Sequence, residues 1–111
     1  MQAIHSNLAS GRWHTMTLAE QLGNVGSEYE RALQGKDRGD TVRFENAFTR
    51  MLELLDLTIT DPRWKNHRLR ELVRLREVVC EELVGEIEPP KDLPNLRNYF
   101  LYFGILARSG K

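Results

Sequence analysis

Four stretches of the chain repeat apolar residues every three or four positions, the period of a helix that turns one side toward a core. In the first, Leu18, Leu22, Val25, Tyr29 and Leu33 form the stripe. Thr17 is placed to cap it, and Glu20 three residues on can reach back to complete a capping box. This helix is expected to fade near Gly35, before the polar turn Lys36-Asp37-Arg38-Gly39-Asp40. Asp40 or Thr41 then caps a second helix that runs to about Ile59. Its core face is Phe44, Phe48, Met51, Leu52, Leu55 and Ile59, widened to one side by Ala47, Leu54 and Leu57. Asp61-Pro62 ends it, because a residue before proline is pushed out of helical geometry.

A third helix is expected from about Asn66 to Val84, with Leu69, Leu72, Val73, Val79, Cys80 and Leu83 inward and Gly85 as its stop. At about 100° per residue, Arg76 falls in the middle of that inward face. A buried arginine requires a partner: a structural carboxylate, for which Glu28 and Asp56 are the candidates, or, as the alternative, an anion bound in a cleft. The last helix is expected to start at Leu93 or Pro94, with Asp92 as cap, after the stiff connector that holds Pro89 and Pro90. Its apolar residues, Leu96, Tyr99, Phe100, Leu101, Tyr102, Phe103, Ile105 and Leu106, go all the way round. One bundle face cannot bury them all, so Tyr99, Leu101, Tyr102 and Ile105 are expected to form an oligomer interface. The fold class that follows is all-α, an antiparallel four-helix bundle over residues 15–111, preceded by a loose N-terminal arm over residues 1–14. Trp13 is expected to anchor that arm on the core, with a second subunit as the alternative surface. The stretch from Met51 to Cys80, one widely apolar helix, a proline corner and a charged helix, is expected to be the centre of the structure.

At 111 residues the chain is long enough for one core without staples. A single cysteine, Cys80, cannot form an internal disulfide, no secretion-type leader is present, and a cytoplasmic setting follows as the default. The longest apolar run, from Tyr99 to Ala107, is far short of a bilayer span, so no membrane association is expected. Lys and Arg number 16 against 16 Asp and Glu, so no global field draws the protein to nucleic acid or anionic lipid.

Charge is nevertheless sorted locally. Arg63, Lys65, Arg68, Arg70, Arg74 and Arg76 face only one acid, Glu71, within the same run, and Trp64 and His67 are interleaved. Glu77, Glu81, Glu82 and Glu86 follow. The early cations crowd a helix N-terminus, where the helix dipole disfavours them. Phosphates could compensate, and so could the acidic half of the same helix on an antiparallel partner; a solvated face is the bland alternative. The zero net charge favours protein over nucleic acid.

Catalytic signatures are thin. His5, His14 and His67 have no mutual ligand spacing, Cys80 lies on an apolar face, and no glycine loop of the phosphate-cradling kind occurs. Gly23 and Gly26 inside the first helix each cost about 1 kcal/mol against Ala, and close helix packing is the expected compensation, with room for a ligand as the alternative. Glu53 and Asp56, three apart, can share a divalent cation. With Glu28 or Glu20 on the preceding helix this resembles the all-helical MazG-like nucleotide pyrophosphohydrolases, which hold magnesium with Glu-x-x-Glu followed by Glu-x-x-Asp. The first motif is broken here, since Gly23 follows Glu20 and Arg31 follows Glu28 at the required spacing. That resemblance implies a metal set of Glu28, Glu53 and Asp56 and Mg2+ as cofactor; outside it no cofactor is expected.

The strings Met16 to Glu28, Leu52 to Ile59 and Arg68 to Glu77 resemble an uncharacterised group of short prokaryotic all-helical proteins of unknown function. That likeness implies a compact bundle and leaves the function where the residues leave it. The expected function is a non-catalytic bundle acting through self-association, as a homodimer, and protein binding. The alternatives are the magnesium-dependent hydrolase and a nucleic-acid binder using residues 63–76.

Overall fold

The computed structural model describes residues 11–85 and 95–109. Within them the chain is all-α: a short 3-10 helix (Arg12–Thr15) leads into α1 (Leu18–Arg38), α2 (Thr41–Ile59), α3 (Asn66–Val84) and α4 (Leu96–Ser109). The first ten residues of the arm, and the expected start of the last helix at Asp92 to Pro94, lie outside the described residues.

Local chemistry accounts for most boundaries. Thr17 and Glu20 form the reciprocal capping box, with N···O distances of 3.0 and 3.1 Å. Asp40 accepts from the Arg43 amide at 3.1 Å and starts α2. The α1 terminus differs from expectation. The helix continues through Gly35 to Arg38 and stops at Gly39, whose left-handed φ of 69° suits glycine. Gly35 has another task. A Cβ there would lie 2.7 Å from the Phe44 backbone nitrogen, so a missing side chain is what lets α1 and α2 approach. At the far end of α3, Lys36 of α1 donates to the Leu83 carbonyl at 3.0 Å, satisfying an oxygen the helix leaves open.

Contacts between helices show the bundle's direction. Along α1, Gln21 meets Asp61, Glu28 meets Arg50 and Gly35 abuts Phe44, so α2 runs back along α1. On another side of α1, Gly23 abuts Gly104, Gly26 abuts Phe100 and Glu30 pairs with Arg97, so α4 also runs opposite to it. α1 therefore packs closely on both α2 and α4, whereas α2 and α3 meet over a smaller contact. The centre of the fold is α1, a correction to the expectation that placed it in Met51 to Cys80. The physical reason is the glycines: Gly26 shaves one side of α1 for α4, and Gly35 another for α2.

The core is formed by Trp13, Leu22, Val25 and Tyr29 with Met51, Leu54 and Leu55 from α2, Leu72, Leu75, Val79 and Leu83 from α3, and Leu96 and Phe100 from α4. Each such side chain contributes roughly 1.5–3 kcal/mol on leaving water. Trp13 is fully buried on its own chain's core. No helix among the described residues is long and apolar enough to cross a membrane.

Candidate functional site

The six cations of the basic run have separate fates. Arg63 belongs to the α2–α3 corner, where Asp61 is fully buried. Asp61 accepts from the Arg63 amide at 3.0 Å and from its guanidinium at 2.7 Å, while the same guanidinium donates to the Met16 carbonyl at 2.6 Å. Gln21, also fully buried, donates to Asp61 at 3.0 Å and to the Trp13 carbonyl at 2.9 Å, and accepts from the Trp64 indole at 2.8 Å. The Trp13 indole donates to Thr58 at 3.0 Å, which passes a bond to the Leu54 carbonyl at 2.8 Å. The hydrogen bonds from Arg63, more than any other contact, hold the Asp61 carboxyl well below the ordinary carboxylate range. The bonds to Asp61 likewise raise the Arg63 guanidinium. This knot ties the 3-10 helix, α1 and the corner together, and leaves Arg63 little capacity for an outside anion.

Arg68 pairs with Glu71 on its own helix at 3.4 Å. Arg76 pairs with Asp56 at 2.8 Å, one of its two expected partners. Its position differs from expectation: 38% of its side chain is exposed, so it sits at the edge of the core face rather than in its middle. Leu75 and Val78 hold the buried positions, and Val73, read as inward, is 40% exposed. A long guanidinium stem can leave the core at that edge and still lie against it. Lys65, Arg70 and Arg74 are exposed and enter no ion pair among the described residues. Here α3 lacks both a side-chain cap and an acidic residue in its first turn, and Asn66 takes a left-handed φ of 55°. Arg70 and Arg74, like Glu77 and Glu81, are like charges one turn apart, a spacing that destabilises a helix by about 0.2–0.5 kcal/mol per pair.

The carboxylates of the magnesium reading are engaged elsewhere. Both oxygens of Glu28, buried at the α1–α2 contact, accept from guanidiniums, of Arg31 at 2.7 Å and of Arg50 at 3.2 Å. Asp56 faces Arg76, and Glu53 is half-buried on α2. No group of three or more His, Cys, Asp and Glu among the described residues is arranged to hold a metal ion. A magnesium ion at Glu28 and Asp56 would have to displace three arginines, so these residues do not fit it. His14 lies 3.3 Å from the Leu57 carbonyl, His67 is exposed, and His5 lies outside the described residues. Burial pushes the Cys80 thiol up, away from the thiolate a nucleophile needs.

On α4 the expected interface residues divide. Tyr99 is half-buried and its hydroxyl donates to Glu71 at 3.2 Å, which places it in the packing between α3 and α4. Burial, and then Glu71, raise its phenol above the ordinary value. Leu101, Tyr102, Ile105 and Leu106 are 55, 61, 51 and 43% exposed. Between α1 and α4 a cleft of about 310 Å³ opens beside them, lined by Gly23, Gly26, Phe100, Leu101, Gly104 and Arg108. Gly26 thus serves packing: a Cβ there would lie 2.5 Å from Phe100 Cβ, whereas one on Gly23 would meet Gly104 at an ordinary 3.4 Å. A second, shallower depression of about 380 Å³ is framed by Arg31, Arg43 and Arg50 with Asp40.

Compared with family models, with curated proteins and with solved structures, the chain matches none. Sequence reasoning missed the corner knot, whose members Gln21 and Asp61 lie 40 residues apart. The one signal in the sequence was a glutamine on the apolar side of α1, three residues after Leu18 and four before Val25.

Proposed function

We propose that this protein is a non-catalytic helical-bundle binding module that self-associates as a homodimer, and takes protein partners, through the outer face of α4. The observation that carries this reading is the cluster Leu101, Tyr102, Ile105 and Leu106, each more than two-fifths exposed. At about 100° per residue they share one arc of α4. Removing such surface from water is worth about 25 cal/mol per Å², and contiguous apolar surface on a small protein marks a contact site. A symmetric pairing would set the same patch of each copy against the other.

Support for catalysis is weaker, because Glu28 and Asp56, two of the three carboxylates that a magnesium hydrolase would use, are bonded to Arg31, Arg50 and Arg76. The proposal sets the chain in the cytoplasm, since Cys80 has no second cysteine to pair with. Light scattering over a concentration series tests the reading. At salt high enough to screen contacts between surface charges, wild type is expected to show twice the 12.9 kDa chain mass, and Leu101→Glu/Tyr102→Glu the single-chain mass with unchanged helicity. A wild type that gives the single-chain mass at every concentration overturns it.

A further inference from the structure

A second surface is recorded in the charge order of α3. His67, Arg70, Arg74, Glu77, Glu81 and Val84 recur at intervals of three and four residues and all six are exposed, so they form one straight seam on the outer side of the helix. The seam is basic in its first half and acidic in its second. We propose that it is a self-complementary pairing surface that takes a second copy of this chain, with the two α3 helices antiparallel. This proposal is independent of the α4 face.

The symmetry of the spacing carries it. A two-fold axis midway between Arg74 and Glu77 sets Arg74 of one copy against Glu77 of the other, and Arg70 against Glu81. Both pairs then occur twice. His67 meets Val84 at either end. Every charged member finds its opposite, and no like charges meet across the axis.

Within a single chain the same arrangement is unfavourable in three ways. Arg70 repels Arg74 across one turn, and Glu77 repels Glu81. The cations sit toward the positive end of the helix dipole and the glutamates toward the negative end. The N-terminus has no side-chain cap. An antiparallel neighbour offsets the like-charge repulsions and the dipole placement together, because its negative end and its glutamates lie beside this helix's basic end. Of the other cations on and before α3, Arg63, Arg68 and Arg76 are held by Asp61, Glu71 and Asp56, and Lys65 precedes the helix and lies outside the seam. A nucleic acid would answer only half the seam. It would bring its phosphates against Glu77 and Glu81, and a net charge of zero gives no long-range attraction to offset that. Contacts of this kind between exposed charges are individually weak and screened beyond about 10 Å at 0.1 M salt, so the pairing is weak and salt-sensitive.

The test is carried out on the full chain in a Leu101→Glu/Tyr102→Glu background. Comparing that background with wild type judges the α4 reading by itself, and every arm below judges the α3 seam by itself. An acidic-seam variant carries Arg70→Glu/Arg74→Glu, and a basic-seam variant carries Glu77→Arg/Glu81→Arg. By sedimentation at low salt, the background chain is expected to dimerise with concentration and to weaken by about tenfold in dissociation constant as salt is raised through the screening range. Each variant alone is expected at the single-chain mass. Mixed one to one, the two variants are expected to form a heterodimer, and the fully inverted chain with all four changes is expected to regain the homodimer. The neutral Arg70→Gln/Arg74→Gln variant, expected to weaken the dimer without reversing it, serves if an inverted variant loses helicity. A background chain that stays at the single-chain mass at all concentrations overturns the proposal. So does a mixture that forms no heterodimer. A dimer indifferent to the inversions also overturns it, as does a background chain whose only response at Arg70 and Arg74 is to bind a single-stranded oligonucleotide.

Discussion

At the α2–α3 corner, Arg63 lies against a carboxylate that is fully buried and bonded to a buried glutamine, which in turn is hydrogen-bonded to both tryptophans. Within two turns of α3, Arg70 and Arg74 stand exposed with no ion pair among the described residues. All three are arginines of one basic run. What separates them is whether the chain supplies a desolvated acceptor: the corner does, through Asp61, and the outer side of α3 does not. Where the partner is internal, the arginine determines stability; where it is external, the arginine is available for recognition. Basic runs read from sequence therefore divide by the burial of nearby acids, not by the number of cations.

The largest expected effect comes from emptying the internal side. Asp61→Ala removes the acceptor of both Arg63 and Gln21, leaving buried donors without partners, and is expected to lower unfolding free energy by about 3 kcal/mol in urea denaturation. Acid acts on the same group. The folded-state pKa of Asp61 lies below its ordinary value near 3.8. Its contribution is therefore complete above that value and is lost as pH falls through it toward the lowered one. A urea midpoint that declines with pH below about 4 in wild type should decline less in Asp61→Asn.

An intermediate effect is expected where α1 meets α4. Gly26→Ala sets a methyl 2.5 Å from Phe100 Cβ and should cost about 1–2 kcal/mol after its gain in helix propensity. Gly23→Ala sets one 3.4 Å from Gly104 Cα, an ordinary contact, and should stabilise by up to about 1 kcal/mol. Reversal of that order in the urea midpoints would mean that α4 does not pack on α1 as described.

The smallest effect belongs to Arg76→Ala. Its pair with Asp56 is solvent-facing on both sides, with side chains 38 and 57% exposed. Its loss should cost at most about 1 kcal/mol. A loss as large as that of Asp61→Ala would erase the distinction between the corner and the outer side of α3.

Much of this architecture is legible in the sequence because its signals are local. Asp40, Pro62 and Gly85 set the limits of α2 and α3 within a residue or two, since caps and breakers act on neighbouring backbone. Gly35 misleads for the opposite reason: its missing side chain answers to Phe44 on another helix, and the true stop is Gly39. Arg76 misleads because periodicity assigns a direction to Cβ and not to the end of a long side chain. Of the candidate site residues, Leu101, Tyr102 and Ile105 could be read as exposed from the excess of apolar residues on α4. Tyr99 could not be told from them without the position of Glu71. The corner knot combines residues from separate parts of the chain, and no local pattern announces it.

The two tryptophans of the chain both lie in that corner, Trp13 in the core and Trp64 beneath the Arg63 guanidinium at 4.6 Å. Intrinsic fluorescence of this protein is therefore an optical probe of one end of the bundle, while the aromatic rings of α4 are tyrosines and phenylalanines. Light emitted at indole wavelengths should follow the opening of the corner and pass over events at α4. Assembly through α4 should thus change the mass of the particle while leaving its colour unchanged.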